Sequence, residues 1–148
     1  MRKIRWVAAV AAAVGLATVV TGAPAVAAVK GPHLITDWAR AVPAHQGTWI
    51  QLYWKTGKAV CDAEVTLSGT DVDVIYPDNT ERYSSFAKGS SLKAGKTDRT
   101  AINVTAHYDK TTVVKLKAKM VYNTCGKNAV EKTEKVSVNL PVIVDDVF

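Results

Sequence analysis

Apolar and polar residues alternate along most of this 148-residue chain, a two-residue period that predicts strands. In "TWIQLYW", Ile50, Leu52 and Trp54 fall on one face and Trp49, Gln51 and Tyr53 on the other. "VCDAEVTL" sets Cys61, Ala63, Val65 and Leu67 against Val60, Asp62, Glu64 and Thr66. "DVDVIY" follows the turn-forming Ser68–Gly69–Thr70 and stops at "PDNT", and "TAINVTA" comes next. After "HYDKT" the pattern is clearest. Val114, Leu116, Ala118, Met120 and Tyr122 face one way there, while Lys115, Lys117 and Lys119 face the other. "KVSVNLPV" closes the series with Val136, Val138 and Leu140 on one side, and a short early strand is expected within "HLITDWA".

Only the first residues break the alternation. Arg2, Lys3 and Arg5 precede an uncharged Ala/Val-rich run from Val7 to Val20, and "TGAPAVAA" then supplies small residues for a signal peptidase. A membrane-spanning helix needs about 20 apolar residues, and Pro24 closes this run early. Residues 1–28 are therefore expected to be a signal peptide cleaved after Ala27 or Ala28, and 29–148 one exported domain. After cleavage no membrane association is expected.

Cys61 and Cys125 both lie past the signal, and an even count in an exported chain implies a disulfide. Free thiols or metal ligands would call for a partner pattern such as C-x-x-C, which is missing. With "HLITDWA" as strand A, the Trp-rich stretch becomes B, Cys61 begins C and Cys125 ends F. C and F are neighbours in one sheet, so the two cysteines meet at one end. Were the Trp-rich strand first, they would sit at opposite ends of strands that rise roughly 3.3 Å per residue, beyond reach of a bridge. The fold class expected is all-β: an immunoglobulin-like antiparallel two-sheet sandwich of about seven strands with one disulfide. One conflict stands. Strict alternation points Cys61 inward and Cys125 outward, and a bulge around Asn123–Gly126 is expected to correct it.

The charge of +6 comes from 19 basic and 13 acidic residues. Removing the three basic residues of the signal leaves +3. That balance, with alternating signs and no basic stripe carrying stacking groups, argues against a nucleic-acid partner. It leaves room for a cell-wall polymer, a polysaccharide or another secreted protein.

Trp49, Gln51 and Tyr53 share the outer face of strand B, so two rings flank an amide. Rings stack on the apolar faces of sugars while an amide bonds their hydroxyls, which makes the three candidate glycan-binding residues. The competing account is cross-strand packing, with the Trp38 segment lying over them. Lys115, Lys117 and Lys119 recur about 7 Å apart on one strand face and are candidates for binding a polyanion. Against that, Glu131 and Glu134, or Asp62 and Glu64, are expected to neutralise part of a merely solvated face. Asp71, Asp73, Asp78 and Asn79 offer calcium-type oxygens at a spacing that fits no calcium loop, so no metal and no cofactor is expected.

Catalytic signals are poor. Ser90-Ser91-Leu92-Lys93 and Lys55-Thr56-Gly57 match two motifs of penicillin-recognising enzymes, but in reversed order and in too small a chain. His33, His45 and His107 are scattered and have no nucleophile placed by spacing. Asn103-Val104-Thr105 fits a glycosylation sequon only as a three-residue pattern. The tail Val142–Phe148 either extends the last strand or stays free to join a partner's sheet.

"SLKAGKTDRTAINVTA", with Leu92, then Gly95, then a polar lead into a strand, resembles the approach to strand E in bacterial immunoglobulin-like adhesion-associated and wall-associated domains. Trp49 to Leu67 resembles the preceding part of those domains. With "YPDNTERYSSF" and "YNTCG", the chain also looks like small secreted proteins of actinobacteria. It departs from the adhesion-type domains at Lys55–Thr56–Gly57–Lys58, where they commonly carry Asn-x-Gly. The resemblance implies a secreted, non-catalytic binding or spacer domain at the cell envelope or extracellular matrix. Two alternatives stand beside it. One is a carbohydrate-binding domain using the aromatic face, and the other a small inhibitor or toxin acting through a loop such as Pro77–Lys96.

Overall fold

Every regular element in residues 31–145, the part described by the computed structural model, is a strand. In chain order these are β1 (His33–Leu34), β2 (Val42–Pro43), β3 (Thr48–Lys55), β4 (Val60–Ser68), β5 (Val72–Ile75), β6 (Thr97–Ala106), β7 (Thr112–Thr124) and β8 (Glu131–Ile143). They form two four-stranded sheets, ordered β1-β3-β6-β5 and β2-β8-β7-β4. This is the two-sheet, immunoglobulin-like arrangement, and β4 does lie beside β7. The added strand is β2, which pairs in parallel with β8. The expected signal peptide lies outside the described residues, as does the end of the tail.

The chain changes sheets soon after it enters the fold. β1 pairs with the end of β3, and Ile35 N–H donates to the Tyr53 carbonyl. Trp38 then bridges to Asn139 of the second sheet, and Ala39 N–H donates to the Asn139 carbonyl. The Thr36 hydroxyl accepts a bond from Trp38 N–H at 3.2 Å and shapes the crossing.

Between the sheets lies one apolar core, built from the faces that alternation assigned: Ile50, Leu52 and Trp54 from β3; Leu116, Ala118 and Met120 from β7; Val138 and Leu140 from β8. The segment Pro77–Lys96 is largely structural. Ser84 exchanges two backbone bonds with Val65, Leu92 exchanges two with Val60, and Phe86 bridges to Thr100. Phe86 and Leu92 are buried, so this segment closes one side of the sandwich and covers the edges of β4 and β6. The tail also has a structural part. Val142 is buried and pairs with both Val42 and Thr112, and Val144 N–H donates to the Thr111 hydroxyl.

Strict alternation fails in β4. Val60 and Ala63 are both buried, and the register against β7 shifts by one residue between Cys61 and Glu64. Asp62, at φ 52°, is the extra residue, a left-handed position that Asp tolerates better than most. The bulge thus lies in β4 and not around Asn123–Gly126. It turns Cys61 away from the core, the direction Cys125 already has, and the two join with Cα atoms 5.4 Å apart. The bridge ties β4 to the end of β7 from outside the sandwich.

Candidate functional site

The outer face of β3 carries Trp49, Gln51 and Tyr53, all exposed, because the opposite parity is committed to the core. Trp49 keeps 50% of its surface accessible and Tyr53 keeps 41%, whereas Trp54, of the opposite parity, is fully buried. The Tyr53 hydroxyl donates to Gln51 Oε1 at 2.8 Å. That bond fixes the amide and leaves its NH2 free to donate outward.

The crossing segment does not cover this face. Trp38 is itself 53% exposed and forms, with Thr36 and Arg40, the far wall of a cleft whose near wall is Trp49, Gln51 and Tyr53. The cleft encloses about 330 Å³. Its floor includes the backbone of Ile50, whose side chain points into the core. The Tyr53 carbonyl faces β1, so by antiparallel alternation the backbone groups of Gln51 and Trp49 face the same edge. Beyond Ile35 the chain has left for β8, and no strand pairs with that part of β3 among the described residues. The cleft therefore combines three rings, an amide, a guanidinium and unpaired backbone groups.

Arg40 and Thr36 were not singled out from the sequence, and Trp38 was named there only within a segment covering the face. A lone Trp in a segment without alternation gives no face, and only the change of sheets places it beside Trp49.

Lys115, Lys117 and Lys119 stand exposed on the outer face of the other sheet and line no part of this cleft. The expected neutralisation is absent: no ion pair joins these lysines to a carboxylate among the described residues. Glu134 opposes Met120 and has the inward parity, and Glu131 opposes Asn123 at the far end of the strand. The calcium-type residues are not gathered either. Asp73 accepts a bond from His107 Nε2 at 2.8 Å, and Asp71 occupies a left-handed turn position. The described residues contain no cluster of three or more His, Cys, Asp or Glu side chains able to hold a metal.

Two of the scattered histidines do come together. The rings of His45 and His107 lie 5.8 Å apart, and His45 Nε2 donates to Asp109 Oδ1 at 3.1 Å. They meet because His45 N–H bonds to the Ala106 carbonyl, joining loops that are distant in sequence. Asn103 of the sequon lies within β6, half-buried and paired with both Trp49 and Ile75.

No protein-family model matches the chain, and no curated protein matches it. Among solved structures, it is similar to the ASH / PapD-like domain 7 of human CEP192, with a TM-score of 0.43 and 8% identity over 80% of this chain and 89% of that one. A second similar chain belongs to the structure titled "AvmM Catalyzes Macrocyclization in Alchivemycin A Biosynthesis", with a TM-score of 0.37 and 10% identity over 79% and 90%. At these scores neither neighbour guides the functional assignment of this chain.

Proposed function

We propose that this chain is an exported, non-catalytic binding domain that takes up polysaccharide in the aromatic cleft of its first sheet. The observation that carries this is the half-exposure of Trp38, Trp49 and Tyr53 around one cleft that also holds Gln51 and Arg40. Three large rings left in water cost stability, and such a patch marks a contact surface. Sugar rings match its chemistry: their C–H faces stack on Trp and Tyr, while their hydroxyls take the Gln51 amide, the Arg40 guanidinium and the open backbone edge of β3. An open cleft without a covering lid suits a segment within a long chain.

Other features agree. The disulfide fits an oxidising compartment, as export by residues 1–28 would require. A pure spacer has no use for exposed rings. An inhibitor acting through Pro77–Lys96 is disfavoured, because Phe86 and Leu92 of that loop are buried and its backbone is paired with β4 and β6.

The test is affinity electrophoresis and calorimetry against soluble wall, plant and storage polysaccharides. Retardation by at least one neutral polysaccharide is expected. Trp49→Ala or Trp38→Ala should weaken it roughly tenfold or more, as aromatic anchors contribute on the order of 2 kcal/mol. Unretarded migration on every polysaccharide, or unchanged affinity in both variants, would overturn the assignment.

A further inference from the structure

The second sheet presents a face of different chemistry. On its outer side, rows of residues run across β4, β7 and β8. Thr66, Lys119 and Lys135 form one row, Ser68, Lys117 and Ser137 the next, and Lys115 with Asn139 the third. Lys135 was not among the sequence candidates. It joins the stripe because the β7–β8 register sets it directly opposite Lys119.

Four lysines thus occupy three consecutive rows in which every other side chain is a hydroxyl or an amide. No carboxylate pairs with any of them among the described residues. Glu64 and Glu131 lie beyond these rows, toward the disulfide end. Lys117, Lys119 and Lys135, with Thr66, Ser68 and Ser137, line a shallow trough of about 530 Å³.

This arrangement opposes folding. Like charges directly across a strand pair are destabilising, and a face meant only for solubility would intersperse both signs. An anionic ligand removes the penalty. The lysines recur at about 7 Å along β7, which suits a charge repeated along an extended polymer. The hydroxyls donate to the remaining anionic oxygens, whereas the Asn139 amide at the edge of the third row donates to Asp37 Oδ2 at 3.4 Å, which sets the limit of the basic stripe on that side. No aromatic residue stands in the rows across β4, β7 and β8; the nearest ring, Trp38, pairs with Asn139 at the edge of the third row, away from Lys117, Lys119 and Lys135, so nucleobases over those three lysines would find nothing to stack on.

We propose that this face binds a linear polyanion that carries one phosphate in each repeat and no nucleobase, with Lys115, Lys117, Lys119 and Lys135 as the contacting cations. The trough and the aromatic cleft share no lining residue and belong to different sheets, although Trp38 of the cleft pairs with Asn139 at the edge of the third row, so a single domain would contact two kinds of polymer.

The experiment uses the full exported chain and long-chain inorganic polyphosphate as probe, with orthophosphate, heparin and single-stranded DNA as comparisons, over a range of salt. Polyphosphate binding is expected to fall linearly with salt on logarithmic axes. Lys117→Gln with Lys119→Gln should lower that slope by roughly 1.4, at about 0.7 per lysine for a flexible strand. Lys93→Gln with Lys96→Gln, on the loop after Leu92, should leave the slope unchanged, as should Trp49→Ala. Equal losses in the two lysine pairs would overturn the proposal. So would orthophosphate binding as tightly as the polymer, or tighter capture of heparin or DNA than of polyphosphate.

Discussion

The indole Nε1–H of Trp54 donates to the Thr100 hydroxyl at 3.0 Å, and both residues are fully buried between the sheets. The bond ties β3 to β6 and satisfies a polar group that water cannot reach. Thr100→Val keeps the side-chain shape but removes the acceptor, leaving a buried N–H unpaired. A loss of about 1–3 kcal/mol in urea unfolding is expected. Trp54→Phe in the Thr100→Val background should cost less than Trp54→Phe alone, and the double-mutant cycle measures the coupling.

Gly69 makes a second close approach. A Cβ placed there would overlap Leu116 Cδ2. Leu116 is fully buried, so it cannot swing into solvent to make room. Gly69→Ala should destabilise the fold by about 1–3 kcal/mol through overpacking. Gly69→Ala combined with Leu116→Val should recover part of that loss in thermal unfolding.

These two sites show how far the sequence could be read. Period-two alternation placed β3 and β7 with their faces, because each buries one side against a single core. The pairing of β4 with β7 followed from requiring the cysteines to meet. β4 itself was misread at its start, since a one-residue bulge at Asp62 inverts the parity of Val60 and Cys61. Nothing local signals it, because the left-handed residue is Asp and not Gly. The cleft was half legible. Trp49, Gln51 and Tyr53 share a strand and a parity, whereas Trp38 and Arg40 arrive through a change of sheets that no periodicity records. Lys135 was hidden in the same way, since only the β7–β8 register sets it opposite Lys119.

The Cys61–Cys125 bridge closes a separation of 64 residues from outside the core. Cys61→Ser with Cys125→Ser should therefore lower stability by about 4 kcal/mol on the chain-entropy account. The core packing should be undisturbed, because neither sulfur contributes to it. The expected result is a reduced denaturation midpoint with unchanged tryptophan bands in the native near-ultraviolet dichroism spectrum, beside the loss of the disulfide's own broad band.

Lys135 links stability to the lysine face. Its replacement by Gln removes the like-charge pair with Lys119 and should stabilise the fold by about 0.2–1 kcal/mol at low salt. The gain should shrink as salt rises, since exposed charges are screened over about 10 Å at 0.1 M. Measuring urea midpoints at low and high salt separates this from a packing effect, which salt would leave in place.

Tyr122 gives the fold an alkaline limit. Its phenol is pushed above the ordinary value of 10.0, first by burial and then by the negative charge of Glu134. Below that ordinary value the group is neutral whether the chain is folded or not, so it adds no pH dependence. As pH rises through 10, the unfolded chain loses its proton first and the folded chain holds it, so the unfolded state gains. Stability should fall from about pH 10 upward, until the folded phenol also ionises. Tyr122→Phe should flatten that limb, and Glu134→Gln should flatten part of it, because the charge is the smaller of the two causes. Urea midpoints measured across this range test the assignment. An alkaline limb of the same steepness in Tyr122→Phe would refute it and move the titrating group elsewhere.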